Sequence, residues 1–111
     1  MSRELKRGTI ELVLLTLLEE RERYGYEIVA AIEARSGGQL EVRDGTLYPV
    51  LYRLEEGGFV EPRWETQERG VPRKYYRITD GGKRESRRLR EEWREFAAGM
   101  DAILDRKDES G

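Results

Sequence analysis

The sequence predicts a mainly α-helical fold with one small β-hairpin and a long last helix. Three observations carry this. Apolar residues recur at helical spacing through residues 11–20, 24–36 and 46–56. Residues 58–79 switch to alternation around a turn-rich gap. Leu89, Trp93, Phe96, Met100 and Ile103 then follow one another at intervals of 4, 3, 4 and 3, a heptad seam on a single helix. At 111 residues the chain is expected to form one compact unit. With 37% hydrophobic and 40% charged residues it is polar, but the apolar residues are periodic rather than sparse, which argues against disorder.

The first residues, 3–7, are basic, and Thr9 is a possible cap for a helix over 11–20. Leu12, Val13, Leu14, Leu15, Leu17 and Leu18 leave that helix little polar surface, so it is read as the central core element. Lys6 and Arg7 lie at its N-terminal end, where the helix dipole favours an anion, and are candidate phosphate contacts. A charged connection leads to Tyr24, Gly25 and Tyr26 and to a second helix reaching about Ser36. Ile28, Val29, Ala31 and Ile32 form its buried side, and Gly37 and Gly38 stop it. Tyr24 or Tyr26 is either a core tyrosine with its hydroxyl at the surface or a phosphate ligand at the helix start. A short β-permissive stretch, Leu40 and Val42, precedes the third helix.

That third helix organises the functional reading. Leu47, Val50, Leu51 and Leu54 form one buried stripe, while Thr46, Tyr48, Pro49, Tyr52 and Arg53 lie off it. Two tyrosines and an arginine on the wet side of a short helix suit phosphates and base edges. Asp44 or Thr46 can cap it. Thr46 is favoured, because Pro49 then falls in the first turn, where its missing N–H does no harm; Asp44 and Gly45 become a lead-in turn. Gly57 and Gly58 end the helix.

Residues 58–66 alternate loosely, with Phe59, Val60 and Trp64 as the apolar members. Residues 73–79 alternate better, with Tyr76 and Ile78 on one side and Tyr75 and Arg77 on the other. Together they read as a β-hairpin, which must pack on the helices to be stable. Residues 69–77 hold Arg69, Arg73, Lys74 and Arg77 and no acid. A hairpin of that charge directly after a recognition-type helix is the wing of a winged helix-turn-helix, suited to phosphates or a minor groove. Thr79 or Asp80 caps the last helix, over about residues 82–106. Its seam, widened by Ala97 and Leu104, is expected to meet a second copy of itself; packing on the first helix is the other reading. The division is a winged helix-turn-helix over 1–79, a dimerisation helix over 80–106 and a disordered tail over 107–111.

Composition bounds the function. Twenty-one basic and 23 acidic residues give a net charge of −2, yet the charges are segregated, which permits a basic face on an acidic protein. With no histidine, no cysteine and no phosphate-binding loop, an enzyme is not expected, and no metal or cofactor is implied. No apolar run approaches the ~20 residues that span a bilayer, and a soluble cytoplasmic protein is expected.

Several of these segments resemble the PadR family of bacterial transcriptional regulators. The matching residues are L-K-R-G-T-I-E-L at 5–12, Y-G-Y-E-I at 24–28, G-T-L-Y-P at 45–49 with R-L-E at 53–55, and P-R-K-Y-Y-R-I-T at 72–79; W-R-E-F at 93–96 is a weaker match. The resemblance implies a homodimer that binds a palindromic operator in double-stranded DNA and represses from it, relieved by a small molecule in some members. The single terminal helix is similar to the subfamily that senses drugs or other aromatic compounds, some of which place a tryptophan at the position of Trp93 in a pocket at the dimer centre. Asp44 departs from the pattern, setting an acid where many relatives have a neutral residue.

On this reading Thr46, Tyr48, Pro49, Tyr52 and Arg53 face the major groove, and Arg69, Arg73 and Lys74 grip the flanking backbone. Tyr24 and Tyr75 join them if their hydroxyls face DNA. Leu89, Trp93, Phe96, Met100, Ile103 and Leu104 form the dimer interface. Trp93, Phe96 and Met100 also provide stacking surface for an aromatic or cationic ligand, with Glu92 or Asp101 to attract a cation. Two competing readings remain at this level: a ligand sensor at the seam, and a winged fold used for protein–protein contact without DNA.

Overall fold

The computed structural model describes residues 3–4 and 8–105. Its elements run β1 (Arg3–Glu4), α1 (Ile10–Glu20), β2 (Arg23–Tyr24), α2 (Gly25–Arg35), β3 (Leu40–Glu41), α3 (Asp44–Glu56), β4 (Val60–Glu65), β5 (Arg73–Ile78) and α4 (Asp80–Leu104). Lys6, Arg7 and the tail from residue 106 lie outside the described residues.

The core forms around α1, as its sequence demands. Ile10, Leu14, Leu15, Leu17 and Leu18 are buried on it, and the helix touches α2, α3, α4 and β5. Ile28 and Ile32 of α2, the Leu47, Val50, Leu51 and Leu54 stripe of α3, and Val60 and Tyr76 of the hairpin close over it. Burial of each such side chain contributes roughly 1.5–3 kcal/mol. Arg23 is the charged exception, only 6% exposed. Its Nε donates to the Leu17 carbonyl at 3.2 Å and its Nη2 to Glu20 Oε1 at 2.8 Å, so the buried guanidinium is satisfied. Glu20 also accepts from Arg35 Nη1 at 2.6 Å, which ties the end of α1 to the end of α2.

The hairpin is not alone. β4 and β5 pair antiparallel from Val60↔Ile78 to Glu65↔Arg73, and β2 adds a third strand through Arg23↔Tyr76 and Tyr24↔Tyr75. β1 and β3 form a separate parallel pair. Two-residue strands leave no alternation to read, which is why the sequence does not announce β1 or β2.

Two helix boundaries depart from expectation. α3 starts at Asp44, with Arg43 at its cap and no side-chain capping bond; Thr46 is inside the first turn, its N–H donating to the Arg43 carbonyl at 2.9 Å. Asp44 and Gly45 are therefore helical rather than a lead-in turn. An acid in the first turn complements the helix dipole. Pro49 consequently sits deeper than the first turn, but it is exposed, so water can serve the carbonyl it leaves unpaired. The last helix begins at Asp80, two residues earlier than expected, with the Thr79 hydroxyl accepting from the Gly82 N–H at 3.0 Å. At the other end of α3 the chain reverses at Gly58, whose φ of +78° suits a residue without Cβ.

The first half of α4 is fastened to α1: Ser86 is fully buried and donates to Glu19 at 3.0 Å, and Arg90 donates to Thr16 Oγ1 at 3.0 Å. Beyond Phe96, which still lines a hollow with the start of α1, the helix leaves the body. Trp93, Phe96, Met100, Ile103 and Leu104 are exposed, the last two by 72% and 69%. The molecule is correspondingly elongated, 68 × 33 × 21 Å.

Candidate nucleic-acid interface

The buried stripe of α3 fixes which residues stand outward. At about 100° per residue the line opposite the stripe runs through Gly45, Pro49, Tyr52 and Glu56. Tyr48 lies on one flank, toward the wing; Thr46 and Arg53 lie on the other, toward α1. Tyr52 is 61% exposed and Tyr48 46%, while Thr46 is half-buried. Arg53 reaches back to Glu11, Nη2 to Oε2 at 3.9 Å. Small side chains at Gly45 and Pro49 keep the N-terminal half of this face low, so a flat partner can approach the backbone closely.

Between α3 and the wing lies a cleft of about 430 Å³, lined by Tyr24, Gly25, Tyr48, Tyr52, Trp64, Lys74 and Tyr76. It brings together four of the residues singled out from sequence: Tyr24, Tyr48, Tyr52 and Lys74. Tyr48 is held there because Gly25 has no side chain: a Cβ at position 25 would collide with the Tyr48 hydroxyl. Burial, with Asp44 and Tyr76 nearby, pushes the Tyr48 pKa above its ordinary value, so the hydroxyl remains a donor.

Lys74 does not project along the flank of the wing. Its Nζ is 3.2 Å from Glu55 Oε1 and lies over the rings of Tyr76 and Trp64, 5.3 and 5.6 Å from their centroids. Burial opposes its charge, but Glu55 and Tyr76 outweigh that, and its pKa is raised. Glu55 Oε1 is itself buried, so its ion pair with the ammonium is sheltered from solvent.

The hairpin's charge is thus smaller than its sequence. Arg77 donates to Glu61, its cross-strand neighbour, at 2.9 Å. Arg73 lies over the Tyr24 ring, 4.6 Å from the centroid, and its pKa is raised by a Tyr75 hydrogen bond first. Arg69 is exposed in the turn. Acids on β4 face the acid-free β5, a relation that a count along the chain cannot see. Tyr75 is on the sheet face away from the cleft, edge-on to Tyr24 at 5.2 Å and covered by Arg63 at 4.7 Å.

Sequence reasoning missed three contributors here. Glu55 and Gly25 act through neighbours distant in the chain. Trp64, 63% exposed, shares the cleft-facing side of the hairpin with Lys74, its cross-strand partner. Its alternation with Glu61, Arg63 and Glu65 was the available signal.

The residues proposed for a seam are on α4, away from the cleft. The rings of Trp93 and Phe96 lie 6.0 Å apart between centroids, tilted by 37°. With Gly8, Thr9, Leu12, Leu89 and Glu92 they line a hollow of about 220 Å³ against the start of α1. Met100, Ile103 and Leu104 continue the stripe outward. Among the described residues no cluster of acids could hold a metal ion, and no helix is long and apolar enough to cross a membrane.

Comparison with known proteins places this arrangement. The model of the transcriptional regulator PadR-like family matches residues 14–88. An uncharacterized protein of Lysinibacillus sphaericus is 35% identical over 102 residues, covering 92% of this chain and 94% of its own. The negative transcriptional regulator PadR of Bacillus subtilis (strain 168) is 30% identical over 76 residues, 68% of this chain but 42% of that protein. Among solved structures, a transcriptional regulator from Clostridium thermocellum superposes with a TM-score of 0.82 at 31% identity, covering 88% of this chain and 92% of that one. A PadR family transcription regulator from Clostridium difficile R20291 does so with a TM-score of 0.76 at 30% identity, covering 87% and 99%. Members of the family are transcriptional regulators, not enzymes. The match over most of the chain, with the same winged architecture, means that this protein belongs to the PadR-like family of transcriptional regulators.

Proposed function

We propose that the protein is a homodimeric repressor that binds a two-fold symmetric operator in duplex DNA and is released by a small molecule. Residues 1–79 read DNA, and residues 80–106 hold the two copies together. The observation that carries the reading is the outward face of α3, with Tyr48 and Tyr52 exposed beside a low Gly45–Pro49 surface. Tyr48, Pro49, Tyr52 and Arg53 enter the major groove, with Thr46 at their edge. Tyr24, Arg69 and Arg73 contact the flanking phosphates. Repression is supported by the negative role in the name of the Bacillus subtilis relative.

The exposed stripe on α4 supports the pairing, and the rings of Trp93 and Phe96 within it, with Glu92 beside them, support a planar aromatic or cationic effector. Two copies would place their α3 helices on half-sites about one helical turn, 34–36 Å, or a multiple apart.

Selection of bound duplexes from a random pool tests this. The winners should carry an inverted repeat, and their affinity should fall steeply with salt. Absence of salt-dependent binding to any duplex would turn the reading toward a winged fold used for protein contact. A titration of planar aromatic cations should quench tryptophan fluorescence and release the selected duplex; no quenching removes the effector from the proposal.

A further inference from the structure

We infer that the cleft between α3 and the wing seats one sugar–phosphate strand, and that Glu55 stands in for a phosphate beside Lys74 until DNA displaces it. The inference rests on the DNA-binding reading above. A helix in the major groove and a hairpin in the neighbouring minor groove straddle the backbone that separates them, so the strand must pass between them. In this protein that passage is the cleft of about 430 Å³. Its lining suits a phosphodiester: hydroxyls of Tyr48 and Tyr52 to donate, the ring of Trp64 to lie against a deoxyribose, and Lys74 as the one basic side chain.

Lys74 is not idle without DNA. Its ammonium has three donors; the anion it meets is Glu55, at 3.2 Å. One anion does not occupy all three donors, and Lys74 lines the cleft. A phosphate that enters must compete with a carboxylate already in place. Glu55 therefore lowers affinity for every sequence alike, because it acts on the backbone and not on a base.

The test uses the full-length protein, a selected duplex, and a set of copies of that duplex in which single phosphates are replaced in turn by neutral methylphosphonates. Affinity is read by fluorescence anisotropy. Glu55→Gln keeps the shape and removes the charge; it should tighten binding roughly three- to tenfold, and Lys74→Met should weaken it by a similar factor. Both effects should fall to within about twofold at one and the same methylphosphonate position, since no charge remains there to attract or repel. Glu55→Gln that fails to tighten binding, or effects that persist at every position, overturn the inference. Should Glu55→Gln not fold, the Lys74→Met loss alone decides: it must vanish at one phosphate. A wild-type protein that selects no duplex refutes the DNA-binding reading instead, which separates the two failures.

Discussion

Tyr48 and Gly25 form a tight constraint on the face proposed to read DNA. The tyrosine hydroxyl fills the space that a Cβ at position 25 would take, so the glycine and the ring position specify each other. Gly25→Ala must push the ring outward or shift the start of α2. We expect a loss of about 1–3 kcal/mol in chemical denaturation, as for other overpacked sites. DNA affinity should fall with it; full stability and unchanged affinity would show that the ring is not held there. At this scale the sequence is legible where periodicity suffices. Tyr48, Tyr52 and Arg53 fall off the buried stripe by spacing alone. It is illegible where a neighbour comes from another element. Lys74 reads as a free cation until Glu55, on α3, is seen beside it, and Thr46 reads as a cap although Arg43 holds that position.

Among the elements, one carboxylate reaches across the junction of α1, β2 and α2 to two arginines. Glu20 accepts from Arg35 and from the buried Arg23. The Arg35 hydrogen bond is the largest influence holding its pKa below the ordinary 4.5, with the Arg23 contact helping and partial desolvation opposing. A carboxylate with a lowered folded pKa stabilises the fold above its unfolded value and ceases to do so as pH falls through the folded one. The melting temperature of the wild type should therefore exceed that of Glu20→Gln near neutral pH, and the gap should close below pH 4.5. A gap that is constant with pH would mean that Glu20 acts through shape and not charge. The wing teaches a related lesson. Four basic residues without an acid look like a strongly cationic strand, but pairing with β4 and contact with α3 spend two of those charges inside the fold. Charge along a strand is a one-dimensional quantity, whereas the field at the surface depends on what the next strand carries.

For the whole molecule, the governing fact is that α4 outgrows the body it caps. Its 25 residues, about 1.5 Å each, give a rod of roughly 37 Å, and only the first half is packed within the chain. Heptad spacing made this helix the easiest element to read, while its boundary with the winged part came from the cap chemistry of Thr79. Phe96→Glu with Ile103→Glu places charges in the stripe. If the stripe joins two copies, sedimentation should show a monomer, and helical signal should fall as the outer turns fray. A species of unchanged mass would return the stripe to another role.

An unsupported rod also sets how such a regulator would respond to its own abundance. Where pairing is weaker than operator binding, occupancy rises with the square of subunit concentration. Below the pairing threshold, halving the number of chains would cut promoter coverage about fourfold, by mass action. A gene under its control would then open as growth dilutes the chains, with no effector present.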